Sequence, residues 1–196
     1  MRRSEYQVEM ANWQAPCAAC ARLPTDGDRD VVPGLAVKLF QLSSSPHSLN
    51  DIDFNKKPAL TAIASKVDAG NDGFGTFKDN FALTATGYLF LDKDDNILFQ
   101  LSSDDGSRMW IDNKQLIDND GDHGMEPKEA EVALRAGYHP IRIEYYQGGG
   151  GRGITLKWAR FGSPGLKIIP ESNFTHRRSD DLAGAVSMSG AATLIP

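Results

Sequence analysis

Residues 96–113 read N-I-L-F-Q-L-S-S-D-D-G-S-R-M-W-I-D-N and place an aspartate pair between two runs of alternating side chains. Before the pair, apolar residues recur at every second position from Ile97 to Leu101, and after it they recur at Met109 and Ile111. A period of two is typical of strands with one buried face. The stretch therefore predicts two strands joined at the aspartate pair.

The same pattern extends along most of the chain. Short apolar or alternating runs occupy residues 35–40, 81–86, 87–91, 115–118, 131–134, 139–146 and 153–158. Asp112-Asn113 suits a two-residue hairpin turn, because Asn tolerates positive φ. Eight or more short strands with turns between them predict an all-β fold, an antiparallel sandwich or barrel. Residues 58–67 are the one helix candidate, so at most one short helix is expected.

The periodic pattern is confined to the middle of the chain. Residues 1–32 lack it and end in the polar run T-D-G-D-R-D, which predicts an N-terminal arm or linker. Residues 33–170 carry the strands and form the expected domain. Residues 171–196, rich in Ser, Ala and Gly, predict a disordered C-terminal tail.

The composition limits the partners. The net charge is −5, the pI is about 5.3 and no Lys- or Arg-rich stripe is present, which disfavours nucleic acid and anionic membrane surfaces. No apolar stretch approaches the ~18 residues of a membrane span, so no membrane insertion is expected. M-R-R at residues 1–3 is followed by polar S-E-Y-Q, and no signal peptide is visible. A leaderless protein and a fragment of a longer exported one both fit.

Cys17 and Cys20 form a C-A-A-C motif in the N-terminal arm. A thioredoxin-type pair needs a βαβ context and a zinc knuckle needs a second ligand pair, and the sequence provides neither. A local disulfide and two idle thiols both remain compatible with the motif.

Asp104 and Asp105 raise the main functional question. Adjacent carboxylates repel, and neither is buried without a partner at low cost. One interpretation is a solvated turn, since Asp, Gly and Ser suit tight turns. The other is a bound cation, which fits the six aspartates between Asp104 and Asp122. An enzymatic role is not expected, because glycosidase carboxylates must flank a bond from opposite sides.

Residues 118–129 place acidic side chains at positions 1, 3, 5 and 12 of an EF-hand loop. His123 occupies position 6, where an EF-hand has glycine, and no helix is predicted on either side. The segment is therefore interpreted as a polar loop whose aspartates hold neighbouring loops. A role for Asp122 and His123 in lining a ligand site stays open.

Several motifs together resemble the PA14 domain. They are S-S-D-D-G-S-R-M-W-I-D, L-I-D-N-D-G-D-H-G, A-G-Y-H-P-I-R-I-E-Y-Y and G-I-T-L-K-W, in this order. The resemblance covers residues 33–161 and implies a jelly-roll-like β-sandwich. Members occur in microbial adhesins, glycosidases, toxins and other extracellular proteins, which implies an extracellular or cell-surface location.

The resemblance also implies a calcium site. In sugar-binding members the aspartate pair, here Asp104 and Asp105, is joined by a cis peptide and both carboxylates hold Ca²⁺. A second loop adds an amide side chain and backbone carbonyls, which correspond here to Gln147, Gly149 and Gly151. Gln147 departs from the asparagine of adhesin members. Calcium takes oxygen ligands and leaves room for the hydroxyls of a sugar.

Three further features give candidate ligand contacts. Arg152 is the one long side chain in the run G-G-G-G-R-G of residues 148–153. Trp110 lies on the outward side of its strand, and Asp122 and His123 follow the hairpin. The resulting hypothesis is a non-catalytic, calcium-dependent module that binds a glycan or polysaccharide. The alternatives are a structural or protein–protein spacer, and an accessory domain of a glycoside hydrolase.

Overall fold

The structure is a computed structural model that describes residues 31–180 and 186–188. These residues form two stacked β-sheets and contain no α-helix. Short 3₁₀ turns occur at Leu49–Asp51, Glu171–Asn173 and Arg178–Asp180. The all-β antiparallel sandwich expected from the sequence is confirmed. Within the described residues no helix is long and apolar enough to cross a membrane.

The larger sheet has nine strands, and seven of them follow one another across it. From edge to edge these are β14 (Val186–Met188), β3 (Leu60–Ala64), β2 (Leu35–Gln41), β5 (Phe81–Leu91), β10 (Gly137–Gln147), β7 (Ser107–Ile111) and β8 (Lys114–Asn119). Two short strands, β1 (Val31–Pro33) and β13 (Phe174–Arg177), pair with each other, and β13 also pairs with β5. All pairs are antiparallel except the one between β14 and β3.

The smaller sheet has five strands, all antiparallel. Its order is β12 (Lys167–Ile168), β11 (Gly153–Arg160), β6 (Asp95–Asp104) and β9 (Glu126–Leu134), and β4 (Asp68–Ala69) also pairs with β11. Strands β6 and β7 belong to different sheets, so the chain crosses the sandwich at the aspartate pair. The end of the sandwich where this happens carries the candidate site.

Alternating side chains from both sheets fill the core, as the period of two predicts. Trp158 and Tyr145 are buried on the inner faces, as their positions in the alternating runs of residues 153–158 and 139–146 predict. Phe74 stacks on Tyr145 with ring centroids 5.4 Å apart, and Phe81 meets the same ring edge-on at 5.9 Å. An aromatic cluster thus supports the end of β10 beneath the site.

A second, smaller apolar cluster lies on the outer face of the larger sheet. Tyr146 and Ala82 are buried there beneath the segment 42–54, which contributes Leu49 and partly buried apolar side chains. Tyr146 points outward from β10, as its alternation with Tyr145 predicts, but this loop covers it. The loop therefore becomes a fixed part of the same end of the sandwich.

The helix candidate at residues 58–67 is wrong. Leu60–Ala64 forms strand β3, and it pairs with β2 in the register Val37↔Ala62. The segment is short and rich in alanine, and its helix propensity is a weak preference that tertiary strand pairing overrides. The Asp112-Asn113 hairpin is confirmed, because both residues have positive φ, 53° and 62°, between β7 and β8.

The ordered domain extends beyond residue 170, so the expected tail from residue 171 begins too early. Residues 171–180 contain β13, in which Phe174 and His176 are buried against the sheet. The sequence F-T-H-R hides this strand because only one of its buried side chains is apolar. Residues 181–185 and 189–196 of the expected tail, and residues 1–30 of the expected arm with Cys17 and Cys20, lie outside the described residues.

Candidate functional site

The aspartate pair lies where β6 leaves the smaller sheet and β7 enters the larger one. The peptide bond between Asp104 and Asp105 is cis. Gly106 follows, and a Cβ there would collide with the ring of Tyr146 and lie 2.9 Å from the backbone nitrogen of Gly121. Position 106 therefore requires glycine, because three chain segments approach one another closely there.

The two carboxylates are held differently. Asp105 is 9% exposed and accepts hydrogen bonds from the backbone N–H groups of Gly148, at 2.9 Å, and His123, at 3.3 Å. No hydrogen-bond donor among residues 31–180 contacts the carboxylate of Asp104. Burial, and then the charge of Asp105, raises the pKa of Asp104 above its ordinary value. A charge interaction with His123 lowers this pKa by a smaller amount, and among the described residues no cation forms a hydrogen bond or salt bridge with the half-buried carboxylate of Asp104.

Gln147 and Tyr145 connect the pair to the glycine loop, defined as residues 148–152. Tyr145 Oη donates to the backbone carbonyl of Asp104 at 2.6 Å and lies 3.0 Å from Gln147 Oε1. Gln147 Nε2 donates to the carbonyl of Gly151 at 2.7 Å, and the side chain is fully buried. Gln147 is therefore at the site and directed at the glycine loop. Its role as a metal ligand stays a prediction.

The glycine loop passes directly over the carboxylates. A Cβ on Gly151 would lie 2.7 Å from Oδ2 of Asp104, and Gly150 has φ +90°. Around Gly149 there is more room, since the nearest atom to a Cβ there is Asp79 Oδ1 at 3.9 Å. The structure thus brings Gly151 to Asp104, whereas the nearest side chain to Gly149 is Asp79; the role of Gly149 as a metal ligand stays a prediction.

Arg152 lies at the edge of the glycine loop and binds another loop, residues 70–80. Its backbone N–H donates to Asn71 Oδ1 at 3.0 Å, and its guanidinium donates to the carbonyls of Asn71, at 2.8 Å, and Lys78, at 3.3 Å. These contacts hold the two loops together. Arg152 is therefore near the pair, but its guanidinium is engaged with backbone.

The loop between β8 and β9 forms the opposite wall. Asp120 accepts from Ser48 Oγ at 2.7 Å and from the guanidinium of Arg108 at 2.8 Å. Asp122 contacts His47 Nδ1 at 2.5 Å and accepts from Tyr146 Oη at 2.8 Å. These aspartates hold the segment 42–54 in place. Strands flank this loop on both sides, so an EF-hand is excluded.

Asp122 and His123 are thus both close to the pair, but they face different partners. The Asp122 side chain is 52% exposed and turned towards His47. His123 supports Asp105 through its backbone, and its ring lies between the carbonyls of Asn119 and Gly124. Burial opposes protonation of this ring, but the two carbonyls together with the charges of Glu126 and Asp105 raise the pKa of His123.

Trp110 is not part of this group. It lies three residues along β7 from Ser107, a rise of about 10 Å, on the outer face of the larger sheet. The guanidinium of Arg142 lies 5.5 Å from the centre of its ring, beside a shallow cavity of about 260 Å³. A ligand held at the aspartate pair does not reach Trp110 unless it extends down the sheet.

The oxygen-rich donor set matches the chemistry of calcium. Two carboxylates, one amide and the backbone carbonyls of a glycine loop are hard oxygen ligands of the kind Ca²⁺ takes. Among the described residues, no group of three or more His, Cys, Asp or Glu side chains could hold a metal, so an ion at the pair would depend on amide and backbone oxygens beside the two carboxylates. The residues at the pair therefore fit a calcium ion.

Sequence reasoning missed the neighbours of the pair that come from distant segments. The alternation predicts only a core position for Tyr145, the histidine spacing predicts no metal-ligand role for His47, and the sequence does not mark residues 48–49, Asn71 or Asp79 as neighbours of the pair. No local pattern marks them, because they reach the site only through the pairing of β5 with β10 and through loop–loop hydrogen bonds.

Comparison with protein families identifies the chain. The model of the PA14 domain matches residues 42–172, most of the described fold. The chain belongs to the PA14 domain family. No match is found among the curated proteins.

Solved structures share the fold at low identity. An anti-sigma factor domain-containing protein from Clostridium clariflavum is 23% identical with a TM-score of 0.61; the match covers 73% of this chain and 47% of that one, so this chain spans about half its length. A PA14 sugar-binding domain from an RTX adhesin is 18% identical over 74% of this chain and 99% of its own, with a TM-score of 0.63. The Epithelial Adhesin 9 A domain of Candida glabrata, in complex with Galb1-3GlcNAc, is 12% identical over 81% and 94%, with a TM-score of 0.60.

Proposed function

We propose that this domain is a calcium-dependent carbohydrate-recognition module and that Asp104 and Asp105 hold the ion. The observation that carries the proposal is the carboxylate of Asp104, which lies half-buried beside a second carboxylate and beneath the glycine loop without a donor among the described residues. Membership of the PA14 family supports it, as does the fold shared with a sugar-binding adhesin domain and a glycan-bound adhesin.

The chain's own residues fix the positions of the candidate ligands. Gly148 and His123 donate to Asp105 and orient its carboxylate, while Tyr145 holds the backbone of Asp104. Gln147 holds the glycine loop against the pair through the carbonyl of Gly151. When bound, calcium would neutralise both carboxylates and offer coordination positions to vicinal hydroxyls of a sugar.

Binding without catalysis is the second part of the proposal. Asp104 and Asp105 share one peptide bond and lie on the same side of any ligand, whereas glycoside hydrolysis needs carboxyl groups about 5 Å or more apart across the bond. The adhesin relatives also suit an extracellular or cell-surface location. The candidate partner is accordingly a glycan or polysaccharide.

A glycan array read with calcium and with chelator tests the proposal. We expect the parent domain to bind some glycans in calcium and none in chelator, and Asp104→Asn to bind none in either. Asp94→Asn is the matched control, because it removes the same charge from the opposite end of β6, where Asp94 accepts from the Ala136 N–H at 2.7 Å. Glycan binding that persists in chelator would contradict the calcium dependence, and the absence of any binding by the parent would favour the spacer interpretation.

A further inference from the structure

Met125 is a large apolar side chain that is exposed on the surface. It is 51% exposed, and among the described residues only Phe161, at 55%, is a comparable large exposed hydrophobic side chain. Met125 directly precedes β9, whose first residue, Glu126, is paired with Ser103. Continuing this register by one residue places Met125 opposite Asp104.

The side chain of Met125 extends across the strands towards the glycine loop. Its Cε lies 2.4 Å from the position that a Cβ on Gly153 would take, and Gly153 is paired with Asp104 between β11 and β6. Met125, Asp104 and Gly153 thus form one row over three neighbouring strands. The absence of a side chain at Gly153 leaves the space into which the methionine reaches.

This row brings the exposed apolar side chain of Met125 next to the candidate ion site. Strand β6 buries every second side chain from Ile97 to Ser103. Asp104 belongs to the other set of side chains, which faces outward. A sugar has polar hydroxyls and apolar C–H or methyl edges, and ligand sites combine apolar contact area with a few fixed polar groups. Methionine is common at binding surfaces because its unbranched thioether adapts to the shape of a ligand.

We infer that Met125 is a specificity residue that contacts an apolar edge of the bound sugar, so that the site favours 6-deoxyhexoses over the corresponding hexoses. The inference rests on the proposed function, because the hydroxyls of the same sugar are taken to lie at Asp104 and Asp105. The methyl group of a 6-deoxy sugar replaces a hydroxymethyl group, which costs more to desolvate against a thioether. Burial of one methyl-sized group corresponds to roughly a fourfold change in Kd.

The test uses two sugar pairs that differ only at carbon 6, D-fucose with D-galactose and L-rhamnose with L-mannose. Titration calorimetry in calcium compares the parent with Met125→Gln, which keeps the length but is polar, and with Met125→Leu, which stays apolar. Phe161→Gln is the control, since Phe161 follows the far end of β11. We expect a roughly fourfold preference for the 6-deoxy member of at least one pair in the parent, Met125→Leu and Phe161→Gln, and no preference in Met125→Gln.

A thermal shift with calcium accompanies each titration and separates the two levels of the proposal. If all four proteins show the calcium shift and bind sugar, but Met125→Gln keeps the parent's preference, the role of Met125 is wrong and the proposed function stands. The same conclusion follows if the parent binds both members of each pair equally. If the parent binds no sugar, the proposed function fails and the inference fails with it.

Discussion

Strand β6 has two adjacent aspartates at each of its ends, and the two pairs have different surroundings. At the start, Asp95 accepts from the Arg160 guanidinium at 2.6 Å and from the Phe161 N–H at 3.2 Å, and its side chain is 5% exposed. At the end of the strand, Asp105 accepts two backbone N–H groups, and Asp104 has no donor among the described residues. Among the described residues, an arginine contacts a carboxylate of the first pair and none contacts a carboxylate of the second.

The comparison teaches that the dipeptide alone does not define a cation site. Arg160 also contacts Asp92 at 2.7 Å, so one guanidinium balances the acidic start of β6. At the end of β6 the glycine loop lies beside Asp104, and among the described residues no guanidinium contacts either carboxylate of the pair. The first pair is therefore structural, and the second is the one where an added cation would complete the charge balance.

The largest expected effect is at the first pair. Replacing Arg160 with methionine leaves the carboxylate of Asp95 buried without a cation, and the free energy of unfolding should fall by about 3 kcal/mol. Urea unfolding measures the loss. Adding Asp95→Asn to this variant should recover part of the stability, because the uncompensated charge is then removed. Equal stability of Arg160→Met and the parent would show that the arginine does not balance this pair.

The next effect concerns the glycine loop. Gly151→Ala places a Cβ 2.7 Å from Asp104 Oδ2, so calcium affinity measured by titration calorimetry should fall about tenfold. Gly149→Ala should change it little, since the nearest atom to its Cβ is 3.9 Å away, and Gly70→Ala is the control in open space. Similar calcium affinities in all three variants would show that the glycine loop does not contribute to the ion site.

A smaller effect is expected at Asp104 itself in the absence of calcium. Because burial and Asp105 raise its pKa, the charged form is disfavoured in the folded state, and Asp104→Asn should stabilise the chelated protein on the order of 0.5 kcal/mol. Asp94→Asn should leave the stability unchanged. If Asp104→Asn unfolds more easily than the parent in chelator, the charge of Asp104 does not destabilise the calcium-free protein and the prediction is wrong.

The smallest effect is a pH dependence near the same group. A raised folded pKa means that the folded state binds the proton more tightly than the unfolded chain does, so this contribution stabilises the calcium-free protein at low pH and is lost as the pH rises through the folded pKa. Protons should therefore compete with calcium, and calcium affinity should begin to fall while the pH is still above 3.8, the ordinary value for Asp. Asp94→Asn should show the same profile as the parent. A flat profile down to pH 3.8 would exclude Asp104 as a ligand.

Local pattern predicted much of the fold and the centre of the site. The period of two defined the strands around residues 97–111 and the hairpin at Asp112-Asn113, because side-chain alternation is a local property of a half-buried strand. The motif around Asp104 and Asp105 identified the family. The neighbours of each pair were not predictable, since Arg160 is 65 residues from Asp95 in sequence. Strand β3 was also missed, because its partner β2 determines its conformation.

The most direct measurement is thermal unfolding of the parent, Asp104→Asn and Asp94→Asn in calcium and in chelator. An ion bound only by the folded form at a hundredfold excess over Kd stabilises it by about 2.7 kcal/mol, which raises the melting temperature of a chain of this size by roughly 5–10 °C. The parent and Asp94→Asn should show this shift, and Asp104→Asn should lose most of it. A parent that melts at the same temperature with and without calcium, or an Asp104→Asn variant that responds like the parent, would contradict a calcium site at the second pair.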